Sequence, residues 1–572
     1  MKNQEIAQIF YNIADILEMK RVEWKPRAYR KAARTLESLS TPVENIYKDG
    51  GIKALEEIPG VGEGLAKKIE QYIKTGKIKE YEKLKKALPK GLVDLMKVQG
   101  LGPKKAQKLY KKLGIKSIKD LEKAAKKHKI QKIKTFKEKT EENILKGIEL
   151  FKQKKGRMLL GLALPQSREI ISQLKKIKGV QQIEAAGSLR RMKETIGDID
   201  ILVTSRHPKL VVNFFTRMPS VKRVLAKGDT KSAVILKTGL QVDVRVLAPS
   251  SFGSALQYFT GSKDHNIKLR AIAIKKGFKL SEYGLFTKKG NKRVAGRTEE
   301  EVYRKLSLPY IEPELRENNG EIEVAKKRNL PKLICLKDIR GDSHVHTKNS
   351  DGTNTIKEIA EACKKLGYEY VCITDHSKTA VITHGLTEKR LEKQIREIRK
   401  LDKKIKGIKI LAGTEVDILG DGKLDFSNEI LKKLDVVTAS IHKKFKLSKK
   451  KMTERILNAM SNENVDILAH PTGRLLGERK AYDFDFDKVF KAAKDTRTAL
   501  EINAQPKRLD LNGYLVKEAK KYGVKFVVAT DSHSTEQLRN IELGVATARR
   551  GWCEKKDVIN TLPLKRFLKA LK

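Results

Sequence analysis

Two carboxylates on one strand are the first chemical feature of this chain. In Gly197-Asp198-Ile-Asp200-Ile-Leu-Val, alternation sends Asp198 and Asp200 to one face and Ile199 and Ile201 to the other. Like charges so placed repel unless a cation lies between them. Hard oxygen ligands suit Mg2+ bound jointly by carboxylates and substrate phosphates. Asp243, in the alternating run Leu240-Gln-Val-Asp243-Val-Arg245-Val-Leu, supplies a third. Three carboxylates on adjacent strands can hold two Mg2+ (or Mn2+) ions roughly 3.5–4 Å apart, the clamp that phosphoryl transfer requires. Just upstream, Gly187 lets the backbone approach a phosphate, which the Ser188 hydroxyl and nearby amides can hold.

A second set of ligand-type residues ends a series of apolar runs from residue 340 onward. The endings are His344-Val-His346, Asp375-His376, Glu415, His442, His470, Glu501-Ile-Asn503 and Asp531-Ser-His533, with Asp351 in the first loop. A basic amphipathic helix follows each run. Seven such units predict a β/α barrel with its chemistry at the C-terminal strand face. The chain has ten histidines, and six of them end these strands. His, Asp and Glu together suit Mn2+, Zn2+ or Fe2+. Clustered metals generate hydroxide able to attack a phosphodiester. His128, His207, His265 and His384 are set aside as non-ligands, and Glu501 and Asn503 receive no role.

Composition agrees with a polyanionic partner. The 572 residues exceed what one core can hold, and the net charge is +53. A chain this basic points to nucleic acid, bound with strong salt dependence. No apolar run is long enough to span a membrane, and no signal-peptide pattern stands out. The four cysteines show no CxxC spacing and read as reduced thiols of a cytoplasmic protein.

Residues 1–85 read as helical, with Ile6, Ile9, Phe10, Ile13, Ile16 and Leu17 at helical spacing. An internal repeat follows: Ile58-Pro59-Gly60-Val-Gly62-Glu-Gly64 and Val98-Gln-Gly100-Leu-Gly102-Pro103. Each copy predicts a tight turn between helices whose outward amides grip a DNA phosphate without reading bases. A third copy near Ile130–Asn143 lacks the glycines and is expected to pack rather than bind. After the Asp243 strand comes Tyr258-Phe259-Thr-Gly261-Ser-Lys-Asp-His-Asn266-Ile-Lys-Leu-Arg270. Tyr258 and Phe259 can stack on a nucleotide, while Asn266 and Arg270 lie four apart on one helix face.

Taken together, these motifs resemble DNA polymerase family X, in the bacterial and archaeal branch that carries a C-terminal PHP phosphoesterase domain. The resemblance implies a multidomain chain: α-helical helix-hairpin-helix domains, an α+β nucleotidyltransferase palm and a distorted (β/α)7 PHP barrel. Its expected divisions are 1–85 (DNA and 5′-phosphate binding), 86–150 (helix-hairpin-helix), 151–250 (palm), 251–312 (nucleotide binding), 313–339 (linker) and 340–572 (PHP). It implies catalytic metal ligation by Asp198, Asp200 and Asp243, and triphosphate binding by Gly187, Ser188 and Arg191. The nucleotide pocket would be Tyr258, Phe259, Gly261, Asn266 and Arg270. DNA contacts would come from Lys25, Tyr29, Gly60, Gly62, Gly64, Gly100 and Gly102. Lys68 would be the lyase nucleophile, its reactivity helped by the neighbouring Lys67.

For the barrel, the resemblance implies two or three divalent metals on His344, His346, Asp351, His376, Glu415, His442, His470, Asp531 and His533. The activities implied are gap-filling repair synthesis and 3′→5′ exonuclease, 3′-end processing or abasic-site cleavage. Substrates would be dNTPs and gapped, nicked or abasic DNA, acted on by a monomer. Two positions depart from the polymerase-beta pattern, Ala163 and Gln241 standing where arginines are expected. Two other readings stay open: a nucleotidyltransferase acting on RNA ends, and a DNA-binding nuclease with a silent palm.

Overall fold

A computed structural model describes residues 2–20, 22–38, 43–86, 95, 101, 103–133, 136, 140–141, 144–145, 148 and 157–571. The second hairpin glycines, Gly100 and Gly102, lie outside the described residues. The chain divides into two compact units. One comprises Met1–Arg157, Gly261–Lys279 and Glu317–Glu323; the other comprises Met158–Thr260, Leu280–Arg316 and Val324–Lys572.

The first unit is helical, as the 3.6-residue periodicity predicts. Helix α1 (Lys2–Met19) buries Ile6, Phe10, Ile13 and Leu17 against α2 (Lys25–Ser38), α3 (Val43–Glu56) and α4 (Glu63–Thr75). Ile16, on another face of α1, joins a second core with Leu101, Leu109 and Leu121. The first hairpin turns at Gly60, whose φ of +87° favours glycine, and Gly62 caps α4. In the third hairpin copy, the buried Glu141 carboxylate accepts the Ile130 and Gln131 amides at 2.9 and 3.1 Å. Those amides are satisfied from within the chain. A helix at Lys263–Lys275 also belongs to this unit.

The second unit holds the two largest sheets. The palm segment has strands β1 (Val180–Ala185), β2 (Asp198–Ser205), β3 (Val221–Lys227), β4 (Lys231–Leu236) and β5 (Gln241–Leu247), in the order β1-β2-β5-β4-β3. Only β2 and β5 run parallel among these neighbours, with Asp200 directly beside Asp243. Ile199, Ile201, Val203, Val242, Val244 and Val246 point into the core. The opposite face is therefore left to the carboxylates.

The barrel segment runs β6 (Gly341–Val345), β7 (Tyr370–Ile373), β8 (Lys409–Asp417), β9 (Val436–Ser440), β10 (Ile467–Leu468), β11 (Ala499–Asn503) and β12 (Phe526–Ala529). The seven strands are parallel and neighbour one another in chain order. A parallel bridge from Val345 to Ser532 brings β6 towards the far end and nearly closes the ring. Near-continuous apolar runs make these strands, because both faces are covered. All ligand-type residues named above for the barrel therefore emerge on its C-terminal rim.

Palm and barrel share packing surface. Leu509 and Leu543 of the barrel complete the palm core. A side chain at Gly161 would meet Pro506 at 2.8 Å, so only glycine allows this approach.

Candidate active sites

In the palm, parallel register sets Asp200 and Asp243 side by side, and Asp198 lies two residues before Asp200 on the same face. Burial, then the Asp198 and Asp243 charges, push the Asp200 carboxyl up to about 7. Asp243 is also raised, first by burial and then by Asp198. Such a set is costly when ionised and unmetallated, so it fits divalent cations. The turn before β2 closes over it. Gly187 has φ +62°, and a Cβ there would lie 2.6 Å from Asp200 Oδ2. The Ala186 amide donates to the Asp200 carbonyl at 2.8 Å, which seats the turn against the strand.

The two departures from the expected pattern have structural uses. Ala163 is fully buried in the palm core, so it packs and presents nothing to a nucleotide. Gln241 donates to Asp243 Oδ2 at 2.9 Å and holds that carboxylate in place. Arg191 donates to the Thr260 carbonyl. Its neighbour Arg190, which the sequence did not single out, donates to Thr260 Oγ1 at 2.8 Å and to Glu299 at 2.7 Å. Burial raises Glu299, but Arg316 and Arg190 outweigh it and hold the carboxyl at about 2. Phe259 lies under the Arg245 guanidinium, 4.5 Å from its ring centre, and packs edge-on against Tyr258. Asn266 and Arg270 sit on the Lys263–Lys275 helix and Gly261 just precedes it, all in the other compact unit.

In the helical unit, Lys25 is exposed at the start of α2. Tyr29 follows on the same helix. It is buried, and its hydroxyl donates to Glu80 at 2.9 Å. Lys68 lies 3.2 Å from Glu80 and donates to the Gly64 carbonyl. Lys67 reaches Glu63 at 2.5 Å across an exposed pair.

At the barrel rim, all nine expected ligands converge. Glu415 is the hub. Its carboxylate lies 2.8 Å from His376 Nδ1, 2.8 Å from His470 Nε2, 3.3 Å from His442 Nε2, 3.5 Å from His344 Nε2 and 3.6 Å from His346 Nε2. Asp531 Oδ1 lies 3.2 Å from His346 Nε2 and 3.7 Å from His344 Nε2. Asp351 lies 3.3 Å from His533 and 3.6 Å from His376. Three overlapping donor groups result: His346, Asp351, His376 and His533; His344, His346 and Asp531; and His376, Glu415 and His442.

Their electrostatics and unmet polar atoms fit metal ions. Burial drives His346 down to about 3. Burial also opposes charge on His376, but Glu415 and Asp351 raise it to about 10. Both nitrogens of His346, His344 Nε2 and Glu415 Oε2 are buried without a hydrogen-bond partner among the described residues. Leaving such atoms unsatisfied is expensive, and cations would satisfy them together.

The sequence missed the residues that aim these ligands. Glu501 Oε1 lies 2.7 Å from His344 Nδ1, and its Oε2 accepts the His470 amide at 2.6 Å. Asp417 holds His442 Nδ1 at 2.6 Å. Carboxylates behind a ligating imidazole fix its tautomer and orientation. Strand position was the available signal: Glu501 ends a barrel strand, and Asp417 stands two residues after Glu415 on the same face. Asn503 donates to both Glu501 and Asp531. Asp375, although at a strand end, accepts from Thr347 and Ser350 and ties down the loop carrying Asp351.

Two arginines of the barrel segment, Arg474 and Arg550, reach the palm, and a third, Arg508, faces the barrel ligands. Arg474 forks onto Glu194 at 2.8 and 3.1 Å, and also donates to the Arg508 and Leu509 carbonyls. Arg550 donates to the Arg191 carbonyl at 2.7 Å. Arg508 Nε lies 3.3 Å from Asp531. The palm loop between the Gly187 turn and Asp198 is thus held at two points by the barrel.

The fold and its two carboxylate-rich centres define a class: a nucleotidyltransferase palm joined to a metal-dependent phosphoesterase barrel. Family models agree segment by segment. A helix-hairpin-helix domain matches 1–78, a SAM-like helix-hairpin-helix tandem 92–149, the DNA polymerase beta palm 165–256, the DNA polymerase beta thumb 255–317 and the PHP domain 342–505. The chain is 40% identical to the DNA polymerase/3′-5′ exonuclease PolX of Bacillus subtilis (strain 168), over 99% of this chain and 98% of that protein. It belongs to the family X DNA polymerases that carry a C-terminal PHP domain. The barrel alone resembles a probable phosphatase of Thermoanaerobacter sp. (strain X514), 33% identical over 40% of this chain and 95% of that protein. A probable phosphatase of Photobacterium profundum matches 35% of this chain at 28% identity, covering 81% of that protein. No helix among the described residues is long and apolar enough to cross a membrane.

Proposed function

We infer that the chain is a DNA repair polymerase that fills gaps with dNTPs at the palm and trims 3′ ends at the barrel. The direct pairing of Asp200 with Asp243 under the Gly187 turn carries the first half. The Glu415-centred histidine cluster carries the second.

At the palm, two Mg2+ or Mn2+ ions held by Asp198, Asp200 and Asp243 would supply charge neutralisation for an in-line displacement. The residues do the positioning. The Gly187 turn and Ser188 cradle the triphosphate, Arg191 adds charge, and Gln241 steadies Asp243. Tyr258, Phe259, Gly261, Asn266 and Arg270 are assigned to the nucleotide, and Lys25, Gly60, Gly62, Gly64, Gly100 and Gly102 to the DNA backbone. Lys68, 3.2 Å from Glu80, is assigned as the nucleophile of an accompanying 5′-lyase activity.

At the barrel, two or three Mn2+, Zn2+ or Fe2+ ions would supply an activated water. His344, His346, Asp351, His376, Glu415, His442, His470, Asp531 and His533 would hold them. Glu501 and Asp417 keep His344 and His442 aimed. The likeness to probable phosphatases favours a second activity here, removal of a 3′-phosphate.

Primer extension and end-trimming assays on the wild type, Asp243→Ala and His344→Ala test both halves. Asp243→Ala should abolish nucleotide addition and spare trimming; His344→Ala should do the reverse. If either substitution removes both activities from a folded protein, the two-centre reading fails. A 3′-phosphorylated primer tests the second activity.

A further inference from the structure

The most exposed large apolar side chains of the barrel follow the ligand-type residue His376 by five and six positions. Ile382 is 94% exposed and Val381 72%. They occupy the tip of an excursion, residues 377–386, whose two ends meet at a ligand. The Leu386 amide donates to the His376 carbonyl at 2.7 Å, and Ser377 bridges Leu386. A side chain at Gly385 would meet the Ser377 carbonyl at 1.9 Å, so the neck of the excursion closes only with glycine.

The excursion is braced at many points. Thr379 donates through its amide to Asp425 at 2.7 Å and through its hydroxyl to Asp417 at 2.6 Å. Asp417 is the residue that aims His442. Lys443 donates to the Thr379 carbonyl. Arg390 donates to the carbonyls of His384, Gly385 and Asn349, the last of these two residues before Asp351. Val381–Thr383 form a single 3-10 turn, and His384 reverses the chain at φ +54°. This much bracing positions two β-branched side chains, themselves stiff at χ1, in water. Scattered surface apolar residues need no explanation, but a fixed adjacent pair with nothing over it does.

We propose that the Val381–Ile382 tip is a nucleobase contact for the DNA strand whose end is cleaved at the cluster. The inference rests on the phosphodiesterase reading given above. Reach favours it. Six residues from His376 to Ile382 span at most roughly 20 Å when extended, and the closed neck makes the true separation shorter. Successive bases of one strand lie about 3.4 Å apart, so the tip falls within a few nucleotides of the phosphate being cleaved. The chemistry fits as well. Apolar side chains that meet a base edge or slip between bases unstack a strand end without reading its sequence.

The test replaces both side chains, Val381→Ser with Ile382→Ser, and compares two substrates with Mn2+. One is a single-stranded oligonucleotide carrying 2-aminopurine at its 3′ terminus. The other is bis(p-nitrophenyl) phosphate, which has no base. The expected result is about a tenfold rise in KM for the oligonucleotide, the loss from one unburied aliphatic side chain, with kcat unchanged. Hydrolysis of the small ester should be unaffected, and Ile382→Trp should restore the oligonucleotide KM. Binding should brighten 2-aminopurine with the wild type and leave it unchanged with the double variant. Equal losses on both substrates, or no change on either, would overturn the proposal. A wild type that hydrolyses neither substrate would instead remove the phosphodiesterase reading and this inference with it.

Discussion

Replacing Asp200 by Asn should abolish nucleotide addition yet stabilise the metal-free palm above neutral pH. In the folded chain the Asp200 carboxyl titrates at about 7, against 3.8 for an unstrained aspartate. Burial is the main cause, followed by the charges of Asp198 and Asp243. A folded-state value above the unfolded one means the native state binds the extra proton over the intervening range. Stability therefore falls as pH rises through that range. Asparagine is close in shape to the protonated acid and does not titrate. Between about pH 5 and about pH 7 the folded acid is mostly protonated and the unfolded one ionised, a difference of about 1.36 kcal/mol for each pH unit. The advantage of Asp200→Asn should then grow by about 2–3 kcal/mol between about pH 5 and about pH 8. Hydrogen exchange of the β2 amides in EDTA, compared between variant and wild type at each pH, reads this within the palm. The variant should exchange more slowly at about pH 8, by a factor on the order of 30–100, and lose most of that margin at about pH 5. Saturating Mg2+ should restore protection to the wild type and not to the variant. A ratio independent of pH, or a variant that exchanges faster at about pH 8, would refute the account of these carboxylates as mutually repelling metal ligands.

Two further substitutions probe the supports. Glu501→Gln removes the charge behind His344, so bound barrel metal should weaken by about 10–100-fold in chelator competition while primer extension persists. Arg474→Ala leaves Glu194 and two carbonyls without their donor, which should cost on the order of 2–3 kcal/mol in thermal unfolding. Because Glu194 lies in the loop leading to Asp198, the same variant should raise KM for dNTP more than it lowers kcat. Arg474→Lys keeps the charge but not the fork, so it should recover only part of either loss.

The chain's own pattern made both centres legible, for a reason that also explains what escaped. Metal ligands come from a short menu of side chains, and strand alternation fixes which of them share a face. Asp198, Asp200 and the barrel endings from His344 to His533 could therefore be read without coordinates. The register that sets Asp200 beside Asp243 could only be suspected, because nothing local dictates which strands become neighbours across forty residues. Supports escaped for a different reason. A carboxylate that aims a histidine, such as Asp417, is chemically indistinguishable from one that binds the ion, and its duty depends on which atom faces it. Tyr29 has surroundings that no local pattern announces. The family resemblance implies a DNA contact there, and the structure adds what lies around it: α1 supplies Phe10 and the chain beyond α4 supplies Glu80.

The arginines at the palm–barrel boundary were invisible in a sequence with 123 basic residues, where any one of them reads as part of a DNA-facing surface. Their placement changes what the barrel contributes. Arg550 holds the Arg191 carbonyl and Arg474 holds Glu194, so the loop from the phosphate turn to Asp198 is clamped by the neighbouring fold. Backbone atoms of Arg508 and Leu509 in turn hold Arg474, and the Arg508 side chain faces Asp531. A polymerase loop braced in this way is pre-organised without spending palm residues on the task, which frees the carboxylate face for ions and substrate. Detaching the barrel would remove both arginines at once. It would therefore impair synthesis as well as trimming, whereas emptying the barrel of metal with His344→Ala leaves the clamp standing and spares synthesis.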